Sequence, residues 1–118
     1  MKRCCFGVPP CLMFFLLSVS ICYGTTQSIR IGFNLPLTGW LEQVGSHTKN
    51  AAELVKAEIT KAGGLQIGDT IYPVEFIYED NTSNPSKASS VALDLISRQN
   101  VLAIVGPLSS QHAVPAGQ

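Results

Sequence analysis

The chain has 118 residues, 46% of them hydrophobic, with eight basic and eight acidic side chains. That is enough apolar material for one modest domain, and it offers no basic stripe, which excludes nucleic acid as a partner. All four cysteines (Cys4, Cys5, Cys11, Cys22) fall near the amino terminus. The rest of the chain is therefore neither a disulfide scaffold nor a thiolate metal site.

The first 24 residues read as a secretory signal peptide. Lys2 and Arg3 give a basic start, and Leu12 to Cys22 is an apolar core broken only by Ser18 and Ser20. Cys22 and Gly24 then stand three and one residues before a cut at Thr25. The apolar run is about half the ~20 residues needed to span a bilayer. Ile21 before Cys22 disfavours lipidation. The leader takes two of the eight basic residues with it, which leaves six against eight acids from Thr25 on, a net charge of −2. Such a balance suits a solvated surface.

In "SIRIGFNLPLTG", Ile29, Ile31, Phe33 and Leu35 alternate with Arg30, Gly32 and Asn34. A period of two predicts a strand, and Pro36, Gly39 and Gly45 punctuate the loop after it. "SHTKNAAELVKAEITKAGG" predicts an amphipathic helix with Ala51, Leu54, Val55, Ile59 and Ala62 on its apolar stripe. Ser46 or Thr48 would cap its start, and Gly63-Gly64 supply a left-handed stop. "LQIGDTI" reads as a turn with a short extended lead-in. In "YPVEFIYEDN", Val74, Phe76 and Tyr78 predict a second strand. A second helix opens at Asn84 as N-cap with Pro85 in the first position, where its missing N–H is not needed. Ala88, Val91, Ala92, Leu95 and Ile96 make its stripe, and Asn100 ends it.

"VLAIVG" is apolar throughout, the pattern of a strand buried on both faces of a parallel sheet. Strand, helix, strand, helix, strand is the βαβαβ order of an α/β fold, an open parallel sheet with flanking helices. Ligands of such sheets bind beyond the carboxyl ends of the strands. Three loops meet that description: "NLPLTGWLEQVGS", "EDNTSNP" and "GPLSSQHA".

In the third loop, Gly106-Pro107 breaks the strand and Ser109-Ser110 stand where the next helix begins. One serine serves as an N-cap, or the hydroxyls join free N–H groups in binding a carboxylate. In the first loop Trp40, the only tryptophan, is either a packing residue or the aromatic wall of a cleft. Thr38 offers a hydroxyl to a ligand or to the turn. In the second loop Glu79, Asp80 and Asn81 read as a solvated turn rather than a catalytic pair, and Asn81-Thr82-Ser83 matches a glycosylation sequon. His47 and His112 read as surface residues. Enzyme signatures are missing: no G-x-G-x-x-G, no phosphate-cradling P-loop and no G-x-S-x-G elbow occur.

The segments "IRIGFNLPLTG", "AAELVKAEITKAGGL", "VEFIYEDNTSNPSKASSVALDLI" and "VLAIVGPLSS" together resemble the type I periplasmic solute-binding proteins of ABC importers, in particular the leucine/isoleucine/valine-binding group. The resemblance spans nearly all of residues 28–118. It implies two α/β lobes that close on a solute about a hinge, with residues 25–118 forming the amino-terminal part of the first lobe. It implies a periplasmic or extracytoplasmic location, ABC permease subunits of the inner membrane as partners, no cofactor and no covalent chemistry. The ligand implied is an amino acid, branched-chain in type, or a similar small carboxylate.

By the same resemblance the third loop holds the ligand's carboxylate, with Ser110 at the hydroxyl position, Ser109 beside it and Gln111 following. The aromatic that this group often carries before a glycine corresponds to Val44 before Gly45, and Trp40 stands four residues earlier. A receptor sensor domain of the same fold is the alternative, distinguished by a transmembrane helix and signalling domain downstream. A secreted α/β enzyme is a third reading, distinguished by turnover that Ser110→Ala abolishes. Residues 25–118 alone are expected to bind solute poorly and to be marginally stable, since a sheet edge and helix-packing surfaces are left uncovered.

Overall fold

The computed structural model describes residues 27–118; the signal-peptide reading falls outside them. Strand β1 (Ile29–Leu35) leads to helix α1 (Glu42–Lys61), then the short strands β2 (Leu65–Ile67) and β3 (Thr70–Tyr72). Strand β4 (Val74–Asp80), helix α2 (Pro85–Ser97), strand β5 (Ala103–Val105) and helix α3 (Ser110–Ala116) follow. β1 lies at the centre of a parallel sheet of order β4-β1-β5. The turn-like "LQIGDTI" is in fact the β2–β3 antiparallel hairpin, separate from that sheet.

The alternation in β1 divides its residues between two layers. Phe33 and Leu35 are buried with Ala52 of α1, and Ile31, Leu37, Phe76 and Tyr78 pack against them. Phe33 stacks on Tyr78 at 4.8 Å and lies 4.9 Å from Phe76. The ammonium groups of Lys49 and Lys56 sit over the Tyr78 and Phe76 rings, so the lysine stems help roof this layer. On the opposite face Gly32 leaves room for Leu95 of α2, whose methyls a side chain there would meet at 2.9 Å. Ala88, Val91, Ala92 and Leu95 are all buried, as the period of α2 requires, whereas Ile96, also predicted on that stripe, is 59% exposed in the last turn of the helix. Asn84 accepts a hydrogen bond from the Lys87 N–H and caps α2, with Pro85 first in the helix.

Three expectations change. Helix α1 begins at Glu42, a turn earlier than Ser46 or Thr48, and no side chain of its own caps it. Thr48 instead donates its hydroxyl to the Val44 carbonyl. The predicted stripe of α1 does not meet the sheet: Leu54 is 71% exposed, while Gly45 and Ala52 are buried. A Cβ on Gly45 would stand 2.1 Å from the Pro36 carbonyl oxygen. Helix and loop approach so closely there that only small residues fit between them, and the bulkier apolar residues turn to the flank. Lastly, β5 is not buried on both faces. It pairs only with β1 among the described residues, and Val105 is 41% exposed. Helix α1 packs over β1 and β4, and Ala103 and Val105 of β5 stay exposed.

Among the described residues no helix is long and apolar enough to cross a membrane.

Candidate functional site

Because β1, β4 and β5 run parallel, the three loops after them emerge at one end of the sheet. Asp80, the last residue of β4, ties the first loop to the second. Its carboxylate accepts from the Leu37 N–H at 2.8 Å, the Thr38 N–H at 3.2 Å, the Thr38 hydroxyl at 2.6 Å and the Thr82 N–H at 2.8 Å. Ser83 adds a second tie, donating to the Thr38 carbonyl and accepting from the Leu41 N–H just before α1. The missing cap of α1 is thus supplied from another loop. Thr82 and Ser83 both hold left-handed backbone, φ 54 and 55, a state unusual for any residue but glycine and most strained for the β-branched Thr82, which these bonds maintain.

Burial alone would raise the Asp80 carboxyl, but the hydrogen bonds from Thr38, Thr82 and Leu37 outweigh it and hold the group below its ordinary 3.8. A carboxylate depressed by folding stabilises the fold above its unfolded pKa, and that stability disappears as the pH falls through the lowered value. Asp80→Asn is therefore expected to lose about 1–2 kcal/mol at neutral pH, toward the low end because the carboxylate is partly solvated. The gap between variant and parent should close in acid. Urea melts from neutral to low pH measure it; a gap that widens toward acid contradicts this role for the carboxylate.

Beneath the loops lies a buried amide pair. Asn34 on β1 donates to the Ala88 carbonyl at 2.8 Å and accepts from the Asn81 amide at 3.0 Å. The Asn81 side-chain oxygen accepts from the Ser83 N–H. Asn34 is 0% exposed and Asn81 1%. The sequon is therefore sealed in the folded chain, and the acidic turn is a structural latch, not a solvated bend.

The third loop leaves β5 through Gly106, whose peptide to Pro107 is cis. Ser110 and Gln111 are exposed, and Ser109 is half-buried. Ser109 precedes α3 but its side chain makes no cap bond; its hydroxyl meets Nδ1 of His112. His112 is only 2% exposed, against its reading as a surface residue, because α3 packs on α2 and carries the imidazole inward. The Trp40 ring lies 6.4 Å from the His112 ring, so the first and third loops meet through these two side chains. Trp40 itself is 71% exposed.

A cleft of about 390 Å³ opens beside Trp40, lined also by Gly39, Glu42, Gln43, Ser46 and His47. Val44 sits half-exposed in the first turn of α1 and is not one of its walls, nor are Ser109, Ser110 and Gln111. The structure thus joins Trp40 to the serine loop and leaves Val44 apart. No cluster of three His, Cys, Asp or Glu side chains capable of holding a metal occurs among the described residues. Among the described residues the Ser109–His112 contact lacks the third member of a hydrolase triad, since Nε2 of His112 is buried there with no acid or other partner. Alternation exposes Asn34 as a polar residue within an apolar strand, and that was the available signal for the amide pair. Nothing local marked His112.

The profile of the family described as "Periplasmic binding protein" matches residues 28–117. The chain is 31% identical over 87 residues to the Leu/Ile/Val-binding protein BraC3 of Rhizobium johnstonii, covering 74% of this chain and 22% of that protein. It superposes with TM-score 0.69 and 34% identity on the branched-chain amino acid transporter substrate-binding protein LivJ of Streptococcus pneumoniae, solved in complex with isoleucine. That match covers 76% of this chain and 25% of LivJ. A Rhodopseudomonas palustris ABC-transporter solute-binding protein in complex with 3,4-dihydroxybenzoic acid matches with TM-score 0.64 and 27% identity, over 75% of this chain and 23% of its own. The chain spans about a quarter of the length of these relatives.

Proposed function

Since the chain belongs to the periplasmic binding protein family, we propose that it forms the amino-terminal part of the first lobe of an extracytoplasmic solute-binding protein of an ABC importer. Its solute is a branched-chain amino acid or another small carboxylate, delivered to the permease subunits of the inner membrane.

The observation that carries this reading is the meeting of three strand-end loops, with exposed Ser110 and Gln111 on one and exposed Trp40 packed toward it from another. Hydroxyl donors suit a carboxylate, which only accepts. Isoleucine and 3,4-dihydroxybenzoic acid, the ligands of the two solved relatives, differ in everything but that group. The carboxylate is therefore the anchor in this reading, and the indole of Trp40 is a wall for the remainder of the ligand. The work is capture and not conversion: a ligand that touches both lobes favours the closed state by its differential affinity.

The full-length protein, titrated by calorimetry with leucine, isoleucine, valine and benzoate, is expected to bind at least one of them without consuming it. Ser110→Ala is expected to weaken that binding about 10- to 100-fold, the size of one hydrogen bond to a charged group, with the melting temperature little changed. Chemical turnover, or binding indifferent to Ser110, would count against the proposal.

A further inference from the structure

His112 is a polar side chain sealed from solvent, 2% exposed, with only one of its two nitrogens engaged. Nδ1 meets the Ser109 hydroxyl; Nε2 is buried and has no hydrogen-bond partner among the described residues. The Ser109 hydroxyl, for its part, does not cap α3.

We propose that His112 carries its proton on Nδ1 and donates it to Ser109 Oγ, so that Ser109 turns its own hydroxyl proton to the ligand carboxylate as a second donor beside Ser110. The inference rests on the carboxylate-binding reading above. A neutral imidazole donates from one nitrogen and accepts at the other. With the proton on Nε2, a buried N–H would have no acceptor, the rarer and costlier kind of orphan. With the proton on Nδ1, that N–H is satisfied by Ser109 and only a bare lone pair remains unpaired at Nε2. The two tautomers have opposite consequences for an anion. If Nδ1 accepts, the serine spends its single proton on His112 and presents only lone pairs, which repel a carboxylate. If Nδ1 donates, the serine proton is free. His112 is thus a positioning residue: it touches no ligand and decides what Ser109 offers one.

In the full-length protein, 15N NMR of the neutral His112 ring should show Nδ1 protonated and Nε2 bare. Ser109→Ala and His112→Phe should each weaken binding of whichever of leucine, isoleucine, valine and benzoate the parent binds about 10-fold, on the scale of a hydrogen bond to a charged group. His112→Asn, which keeps an N–H near the Nδ1 position, should retain most of the affinity. The double variant Ser109→Ala/His112→Phe should lose no more than either single one, since both act through the same hydroxyl. A ring protonated on Nε2, additive losses, or unchanged binding by Ser109→Ala overturns the proposal. If His112→Phe fails to fold, the tautomer and the Ser109→Ala affinity decide it. A parent protein that binds none of leucine, isoleucine, valine and benzoate removes the carboxylate reading and this inference with it, whereas a parent that binds beside an unaffected Ser109→Ala removes the inference alone.

Discussion

Gly106→Ala in the full-length protein is expected to lose about 3 kcal/mol or more of stability, from left-handed strain combined with overpacking, and with it most solute binding. Gly106 holds φ +98, and a Cβ there would stand 2.3 Å from the Asn34 carbonyl oxygen. That oxygen is backbone of the central strand and has no rotamer by which to withdraw. The loop has to move instead, and the loop carries Ser109 and Ser110 three and four residues on. Binding should therefore fall even below the melting transition, which separates displacement of the loop from simple unfolding. Urea melts and isoleucine titrations at a temperature where the variant is folded measure both effects. A variant as stable as its parent would show that the close approach of β5 to β1 is dispensable.

Asn34→Leu is the second large effect, expected at about 2–4 kcal/mol because buried polar groups are left without partners. The replacement is similar in size and suits a strand, so hydrophobicity alone predicts a gain. The geometry predicts the reverse. Asn34 is the hub between Asn81 and the Ala88 carbonyl, and without it the Asn81 amide stays buried with no acceptor. The midpoint of urea unfolding should fall while its slope stays the same. Should Asn34→Leu match or exceed the parent, the amide pair is not what joins the second loop to the sheet.

Much of the architecture was legible along the chain. The alternation from Ile29 to Leu35, the Asn84-Pro85 start, the Gly63-Gly64 stop and the α2 stripe from Ala88 to Leu95 are short-range patterns that match their elements, while Ile96 of that predicted stripe is exposed. The errors share one character. Ser46 and Thr48 have good capping chemistry, yet α1 starts earlier because Ser83, over 40 residues away, holds the chain at Leu41. His112 looks like a surface residue until α3 folds against α2. The third loop was recognisable from its Gly-Pro break and paired serines, but its link to Trp40 was not.

The sequence by itself determined the order and type of the main elements, the parallel sheet they imply, and the end of that sheet at which the three long loops gather. Those follow from side-chain period and backbone preference, which act between residues a few positions apart. Only the tertiary structure decided which side of α1 meets the sheet, which polar residues are buried, and which side chains from different loops touch. Those depend on how closely two backbones approach, as at Gly45 against Pro36 and Gly106 against Asn34, and on where a buried N–H finds its acceptor. Neither is a property of any local stretch. The paired serines follow the same division: their place at a strand end is written in the chain, and the contact of the Ser109 hydroxyl with the His112 imidazole is made only by the fold.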